Sequence, residues 1–166
     1  MRYMMINGPM PTTAAPTSVT TGTALKSLLQ FKPLVPCKII EWGISFDGSA
    51  AATPGKVELV EVDVAATVTA YVNADLMKYD LAAVRHGDPT SALISVGTSA
   101  SGYTSTVEGS VTAARMFDLQ LLPPTGPYLK QFPLGREPEV DTNKFVRIRV
   151  TYAAAINALC YLLVEF

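Results

Sequence analysis

Hydrophobic and polar residues alternate along several short stretches of this chain, which is the pattern of β-strands that bury one face. The two clearest stretches run from Lys38 to Phe46 and from Lys144 to Thr151. The predicted inward residues are Ile40, Trp42, Ile44 and Phe46 in the first stretch and Val146, Ile148 and Val150 in the second. The same alternation places Arg147 and Arg149 together on the outward face of the second strand.

Two further stretches predict strands. The stretch from Lys56 to Val64 is expected to contain a β-bulge near Val60 and Glu61. Val57 and Leu59 are predicted to share one face of this strand, and Val60, Val62 and Val64 the other. In the stretch from Arg115 to Leu122, which ends before two prolines, the predicted inward residues are Phe117, Leu119 and Leu121.

Weaker patterns extend the set of elements. Residues 24–31 fit either a short helix or a strand, and the short length favours a strand. Residues 73–84 are expected to hold a short helical turn within a long loop. Additional strands are predicted at residues 67–72, 92–96 and 104–108.

The stretch from Ala158 to Phe166 is apolar on both faces. Leu159, Tyr161 and Leu163 lie opposite Cys160, Leu162, Val164 and Phe166. One face of such a strand packs on the core of an antiparallel sheet, so the other face must be covered by a loop, a helix or another subunit.

The number of predicted strands, about eight to ten, indicates an all-β fold. We expect an antiparallel β-sandwich or jelly roll formed by residues 24–166 as a single domain. Residues 1–23 are predicted to be an extended N-terminal arm, because residues 7–23 contain three prolines, many threonines and no charged side chain. The arm is interpreted either as a flexible terminus or as a segment that becomes ordered against a neighbouring subunit.

Composition excludes several classes of function. Of the 166 residues, 49% are hydrophobic and 16% are charged, and the net charge is -1. This composition excludes intrinsic disorder for most of the chain, and the absence of clustered basic residues argues against nucleic-acid binding. No apolar run approaches the ~20 residues of a membrane-spanning helix, and the apolar stretch near the N-terminus is too short for a secretory signal.

The sequence contains no recognisable catalytic or metal-binding motif, so we expect a protein that is not an enzyme and has no cofactor. Its one histidine, His86, lies in a turn-like segment without a nearby nucleophile motif. Cys37 and Cys160 have apolar neighbours typical of buried free thiols, and a disulfide between them is the alternative.

Glu58, Glu61 and Asp63 form the densest acidic cluster. We interpret it as a solvated strand face opposite Arg147 and Arg149, and a pair of glycosidase-like catalytic carboxylates is the alternative.

The segment from Pro123 to Glu139 is either a solvated loop or a contact loop. Tyr128, Phe132 and Arg136 favour a contact loop, because tyrosine, phenylalanine and arginine are enriched at the centres of protein interfaces.

Four segments of the chain resemble a known group of proteins: Gly22 to Gln30, Glu41 to Gly48, Gly135 to Glu139, and Phe145 to Phe166. They look like segments of small all-β decoration (cement) or minor capsid proteins of tailed bacteriophages. The resemblance implies a sandwich or jelly roll that forms trimers at three-fold positions of the capsid surface, with extended arms that contact neighbours.

We therefore expect a structural virion protein, made in the host cytoplasm, that forms a homotrimer and binds the major capsid protein at the capsid surface to stabilise the shell. Neither nucleic acid nor a membrane is an expected partner. The candidate contact residues are Met4, Met5, Pro9, Tyr128, Phe132, Arg136, Leu159, Tyr161 and Leu163. The alternative is a carbohydrate-binding or tail-associated adhesion module in which Trp42 and the tyrosines stack on sugars.

Overall fold

The chain folds into two antiparallel β-sheets that pack face to face, which confirms the all-β prediction. A computed structural model describes residues 1–49, 53–79 and 93–166. Apart from one turn of 3-10 helix at Asn73–Asp75, the regular elements within these residues are strands. In chain order they are β1 (Arg2–Ile6), β2 (Val19–Thr20), β3 (Lys26–Phe31), β4 (Cys37–Asp47), β5 (Gly55–Val62), β6 (Thr67–Ala70), β7 (Met77–Lys78), β8 (Gly102–Val107), β9 (Ala114–Leu122), β10 (Thr125–Gln131), β11 (Glu139–Val140), β12 (Phe145–Thr151) and β13 (Asn157–Glu165).

The first sheet has the strand order β10-β4-β13-β1-β7, with β11 beside β4 and β2 beside β13. The second sheet has the order β6-β8-β3-β12-β5-β9. The strands of both sheets contribute to one core, in which Trp42 lies fully buried against the Tyr128 ring at a centroid distance of 5.4 Å. The described part of the chain contains no helix with the length and hydrophobicity needed to cross a bilayer.

The predicted inward faces of β4 and β12 are largely confirmed. Every predicted inward residue of β12 is fully buried, and Trp42, Ile44 and Phe46 of β4 also lie in the core. The prediction for Ile40 is wrong, because Ile39 is buried in its place. The pairing of β4 with β13 shifts register beside Ile40, and one extra residue reverses the alternation there.

The prediction for β9 is correct only at Phe117, which packs against the core. Leu119 and Leu121 point to solvent, with exposed fractions of 53% and 68%, while Asp118 is buried. The expected bulge near Val60 is present in the pairing of β5 with β9, but its extra residue is Phe117 of β9. That insertion exchanges the inward and outward faces of the rest of β9.

The weaker strand predictions have mixed outcomes. Residues 26–31 form a strand rather than a helix, and strands are also present at residues 67–70 and 102–107. Residues 73–75 form the expected helical turn. In the stretch predicted as a strand at residues 92–96, the described residues form only isolated bridges at Ile94 and Val96. Residues 80–84, His86 and Ala92 lie outside the described residues.

The interpretation of residues 1–23 as one arm needs correction. Arg2–Ile6 is a strand inside the first sheet, paired with β13 on one side and β7 on the other, and Met5 is fully buried. Beyond this strand, the Asn7 side chain donates to Ala158 O at 3.0 Å and accepts from Cys160 N at 2.9 Å. Residues 8–18 then cross the surface, where Met10 N donates to the Asp75 carboxylate at 2.9 Å.

Part of the outward face of the second sheet is covered by two loops of the chain itself, residues 63–66 and residues 108–113. Val60, Val62 and Phe145 form a small apolar cluster there, against which Ala65 and Val111 pack. The covering loops also bury Arg147, which the alternation alone had placed in solvent.

Asp63 fastens one of these covering loops. It accepts hydrogen bonds from Thr112 N and Ala113 N, both at 3.1 Å, and from the Thr112 hydroxyl. These bonds, the hydroxyl of Thr112 foremost, lower the pKa of Asp63 from 3.8 to about 2. Because the pKa is lower in the folded state than in the unfolded state, the resulting stabilisation is complete above about pH 4 and is lost as the pH falls towards about 2.

We therefore expect the wild-type protein to lose more stability than the variant Asp63→Ala as the pH falls from about 4 to about 2. Thermal unfolding of the two proteins across this range measures the difference. Parallel stability curves would contradict the assignment of the low pKa to Asp63.

Candidate interaction surface

The outward face of the first sheet carries apolar side chains that the sequence predicted to be contact residues. The strand registers define three rows across this face, because residues paired across neighbouring strands share a side of the sheet. The rows are Met4, Leu163, Glu41 and Gln131; Ile6, Tyr161, Gly43 and Leu129; and Leu159, Ser45 and Pro127. Four of the predicted contact residues, Met4, Leu159, Tyr161 and Leu163, therefore lie on this face. The prediction of Leu163 as a contact residue is not supported, because its side chain is buried and does not line the groove described below.

The centre of this face is a shallow apolar groove with a volume of about 240 Å³. We use the name apolar groove for the depression bordered by Met4, Ile6, Gly43, Leu129, Leu159 and Tyr161. Leu129 is 59% exposed and Leu159 is 36% exposed. Contiguous exposed apolar surface of this kind is typical of interaction sites.

Gly43 and Tyr161 shape the floor of the groove. A Cβ atom at Gly43 would lie 2.5 Å from Cε1 of Tyr161, so the tyrosine ring lies directly across the glycine. The Tyr161 hydroxyl donates to Glu41 Oε1 at 2.5 Å. Burial, followed by this hydrogen bond, raises the pKa of Tyr161 above its ordinary value. The raised pKa keeps the hydroxyl protonated, and able to donate to Glu41, above the pH at which an ordinary tyrosine ionises.

Four other predicted contact residues lie away from the apolar groove, whereas Tyr128 contributes to its lining. Met5 is buried in the core, whereas Pro9 is exposed on the segment that follows β1. Phe132 packs against the core from the end of β10, and Arg136 is exposed on the loop that follows. These residues do not line the apolar groove.

Tyr128 closes the open side of the sandwich between β9 and β10. Its hydroxyl donates to Asp118 Oδ2 at 2.8 Å, and Lys130 Nζ lies 3.7 Å from Asp118 Oδ1. Burial, followed by the hydrogen bond to Asp118, raises the pKa of Tyr128 to about 12. The side chain of Tyr128 thus connects the two edge strands of the chain's own sheets.

The structure separates the acidic cluster into three different environments. Glu58 pairs with Arg149 at 2.8 Å, as expected if the two strand faces oppose each other. The expectation of a solvated face is wrong at Glu61, which is buried. Glu61 pairs with Arg115 at 2.7 Å, and Asp63 fastens the covering loop. Each carboxylate has its own partner, so the alternative of two catalytic carboxylates at one site finds no support in this geometry.

The described cysteines match the prediction of buried thiols. Cys37 and Cys160 are both buried and unpaired. Burial is the largest cause of a rise in the pKa of Cys37 to about 12, and it also raises the pKa of Cys160. A high thiol pKa disfavours the reactive thiolate. Within residues 1–49, 53–79 and 93–166, no group of three or more His, Cys, Asp or Glu side chains is arranged to hold a metal ion.

Trp42 does not lie where a sugar could stack on it, because it is fully buried between the sheets. Ile6, Gly43 and Leu129 border the groove but were not among the predicted contact residues. Their positions follow from the pairing of β1, β4 and β10, which no local pattern in the sequence specifies. Comparison with known proteins found no matching family model, no matching curated protein and no matching solved structure.

Proposed function

We propose that this chain is a structural protein that assembles with copies of itself through the apolar groove. The observation that supports the proposal is the exposed apolar face of the first sheet, on which Leu129 and Leu159 are accessible beside the partly covered Tyr161. Burial of apolar surface contributes roughly 25 cal/mol per Å², so a face of this kind favours association.

We further propose that the sandwich is a jelly roll. The longer strands supply the order β1-β13-β4-β10 in one sheet and β3-β12-β5-β9 in the other. The first of these strands along the chain pairs with the last, and the chain passes between the sheets repeatedly. This order is the one expected of an eight-stranded jelly roll built from two Greek keys, a fold that occurs in viral capsid and lectin domains.

The partner surface we propose is the capsid of a tailed bacteriophage, where a homotrimer would bind the major capsid protein and stabilise the shell. The support for this step is the resemblance described above, together with the occurrence of jelly rolls among capsid proteins. Three copies bound simultaneously would hold the shell firmly even if each contact were weak. Electron microscopy of particles with and without this chain tests the step, and equal particle stability and identical surface density would overturn it.

Self-association is tested with the variant Leu129→Asp. We expect the wild-type chain to elute at about three times the 17.7 kDa of a single chain and the variant to elute as a single chain, because a buried unpaired carboxylate opposes association. Size-exclusion chromatography with light scattering at micromolar concentration measures both masses.

The matched control is Leu121→Asp, which places the same charge at a leucine of similar exposure on the edge of the second sheet. This control is expected to keep the wild-type mass. A wild-type chain that stays monomeric would overturn the proposal. Dissociation by Leu121→Asp and not by Leu129→Asp would move the interface from the groove to β9.

A carbohydrate-binding module is the second candidate function. The observation that favours it is the Tyr161 ring beside the Glu41 carboxylate, since an aromatic ring next to a hydrogen-bonding acid suits a sugar. A glycan array with the wild-type protein and Tyr161→Ala decides between the two functions. Glycan binding that requires Tyr161 would favour the adhesion module.

A further inference from the structure

The loop between β10 and β11 carries a single leucine that projects into solvent. Leu134 is 96% exposed, the highest value among the large hydrophobic residues of the described chain. The loop around it is well anchored: Arg136 N donates to Pro133 O at 2.9 Å, and Gly135 N donates to Glu137 Oε2 at 2.8 Å. At the base of the loop, Phe132 N donates to Ile40 O at 2.9 Å.

The conformation of this turn depends on Gly135. Its φ of +79° lies in the left-handed region, and the third position of a type II turn favours glycine for that reason. We call Pro133 to Arg136 the Leu134 turn. Because its hydrogen bonds already fix the backbone, little conformational entropy remains to be lost when Leu134 binds a partner.

The apolar groove has the size and chemistry to accept such a side chain. Its volume of about 240 Å³ is below the roughly 300–1,000 Å³ of clefts that hold drug-sized ligands. The groove therefore suits a smaller group, such as one apolar side chain. Leu129, Leu159 and Tyr161 present aliphatic and aromatic surface at its border. Leu134 does not line the groove of its own chain, and its exposure leaves it available to a different molecule.

The charges beside the Leu134 turn and beside the apolar groove are complementary. Arg136 is exposed two residues after the projecting leucine. In the row of side chains next to the groove, the Glu41 carboxylate accepts a hydrogen bond from the Tyr161 hydroxyl, and a carboxylate has further acceptor positions for a guanidinium.

We propose that the Leu134 turn of one copy docks in the apolar groove of a second copy, with Arg136 of the first beside Glu41 of the second. This inference rests on the proposed self-assembly and specifies its contact. Each copy carries both a turn and a groove, so every chain in the assembly can both insert a leucine and receive one.

The test is Leu134→Asp in the full chain, with Leu121→Asp as the matched control. We expect Leu134→Asp to raise the dissociation constant of the oligomer by more than about 30-fold, the loss typical of a central interface residue, and Leu121→Asp to leave it unchanged. Sedimentation velocity over a concentration series measures both constants. Circular dichroism is expected to stay unchanged, because the Leu134 side chain has almost no contacts within its own chain.

Arg136→Glu tests the charge pair in the same assay. We expect weaker association that is most evident at low salt, because like charges would then face each other at a partly exposed site.

The outcomes separate this contact from the proposed function. A wild-type oligomer that Leu129→Asp dissociates and Leu134→Asp does not would overturn the docking of the turn and leave the groove as the interface. A wild-type monomer would overturn the proposed self-assembly itself.

Discussion

Replacing Arg147 with alanine is expected to lower the free energy of unfolding by about 3–5 kcal/mol. The Arg147 side chain is fully buried beneath the loop that contains Glu108. Its guanidinium donates to the Glu108 carbonyl at 2.9 Å and to the Val64 carbonyl, and it lies 3.3 Å from the Glu108 carboxylate. Alanine would leave these acceptors without their donor and would remove the group that joins both covering loops to the second sheet.

Urea unfolding followed by circular dichroism measures the effect. Lys38→Ala is the control, because Lys38 is also paired with a glutamate, Glu139, but at 4.0 Å and with both side chains largely exposed. Exposed pairs contribute at most about 1 kcal/mol. Equal losses in the two variants would mean that the buried ion pair does not fasten the loops.

Replacing Trp42 with alanine is the second substitution with a large expected effect, a loss of about 3–5 kcal/mol. The indole is fully buried and packs against Tyr128, so its removal leaves a cavity between the sheets next to the side that Tyr128 closes. Trp42→Phe retains an aromatic ring and is expected to cost clearly less.

The Trp42 variants also test the hypothesis of a carbohydrate-binding module in which Trp42 stacks on a sugar. Chemical denaturation gives the stability loss, and a glycan array gives any loss of binding. A stacking role for Trp42 would predict lost glycan binding with unchanged stability, the opposite of what its buried position implies.

The sequence predicts the two faces of a strand best where the side chains keep a period of two. In β13, the two apolar faces were separated correctly: Leu162 and Val164 face the core, while Leu159 and Tyr161 face outward. Period-two alternation is a local property, and each strand of this kind records its two faces in its own residues.

The failures arise where one residue or one distant segment changes the environment. The extra residue Phe117 reverses the alternation of β9, and only the pairing with β5 reveals it. The strand β10 contains Gly126 and Pro127, residues typical of loops, and tolerates the proline because it is an edge strand. Arg147 is buried by a loop distant in the sequence, which alternation within β12 cannot indicate.

The sequence predicted only part of the candidate site, because some of its residues are brought there by pairing between strands distant in the sequence. Leu159 and Tyr161 were identifiable because their strand is apolar on both sides. Gly43 was not identifiable, because it forms part of the groove floor only by lying opposite Tyr161 in the neighbouring strand.

The pairing of β1 with β13 has a kinetic consequence. Arg2 lies opposite Glu165, and β13 is also the strand that joins β1 to β4, so the first sheet cannot close until β13 has been synthesised. Contacts between segments so distant in sequence make folding slow, on the order of milliseconds to seconds. Until β13 pairs with β1 and β4, these strands have unpaired edges, and unpaired strand edges favour aggregation.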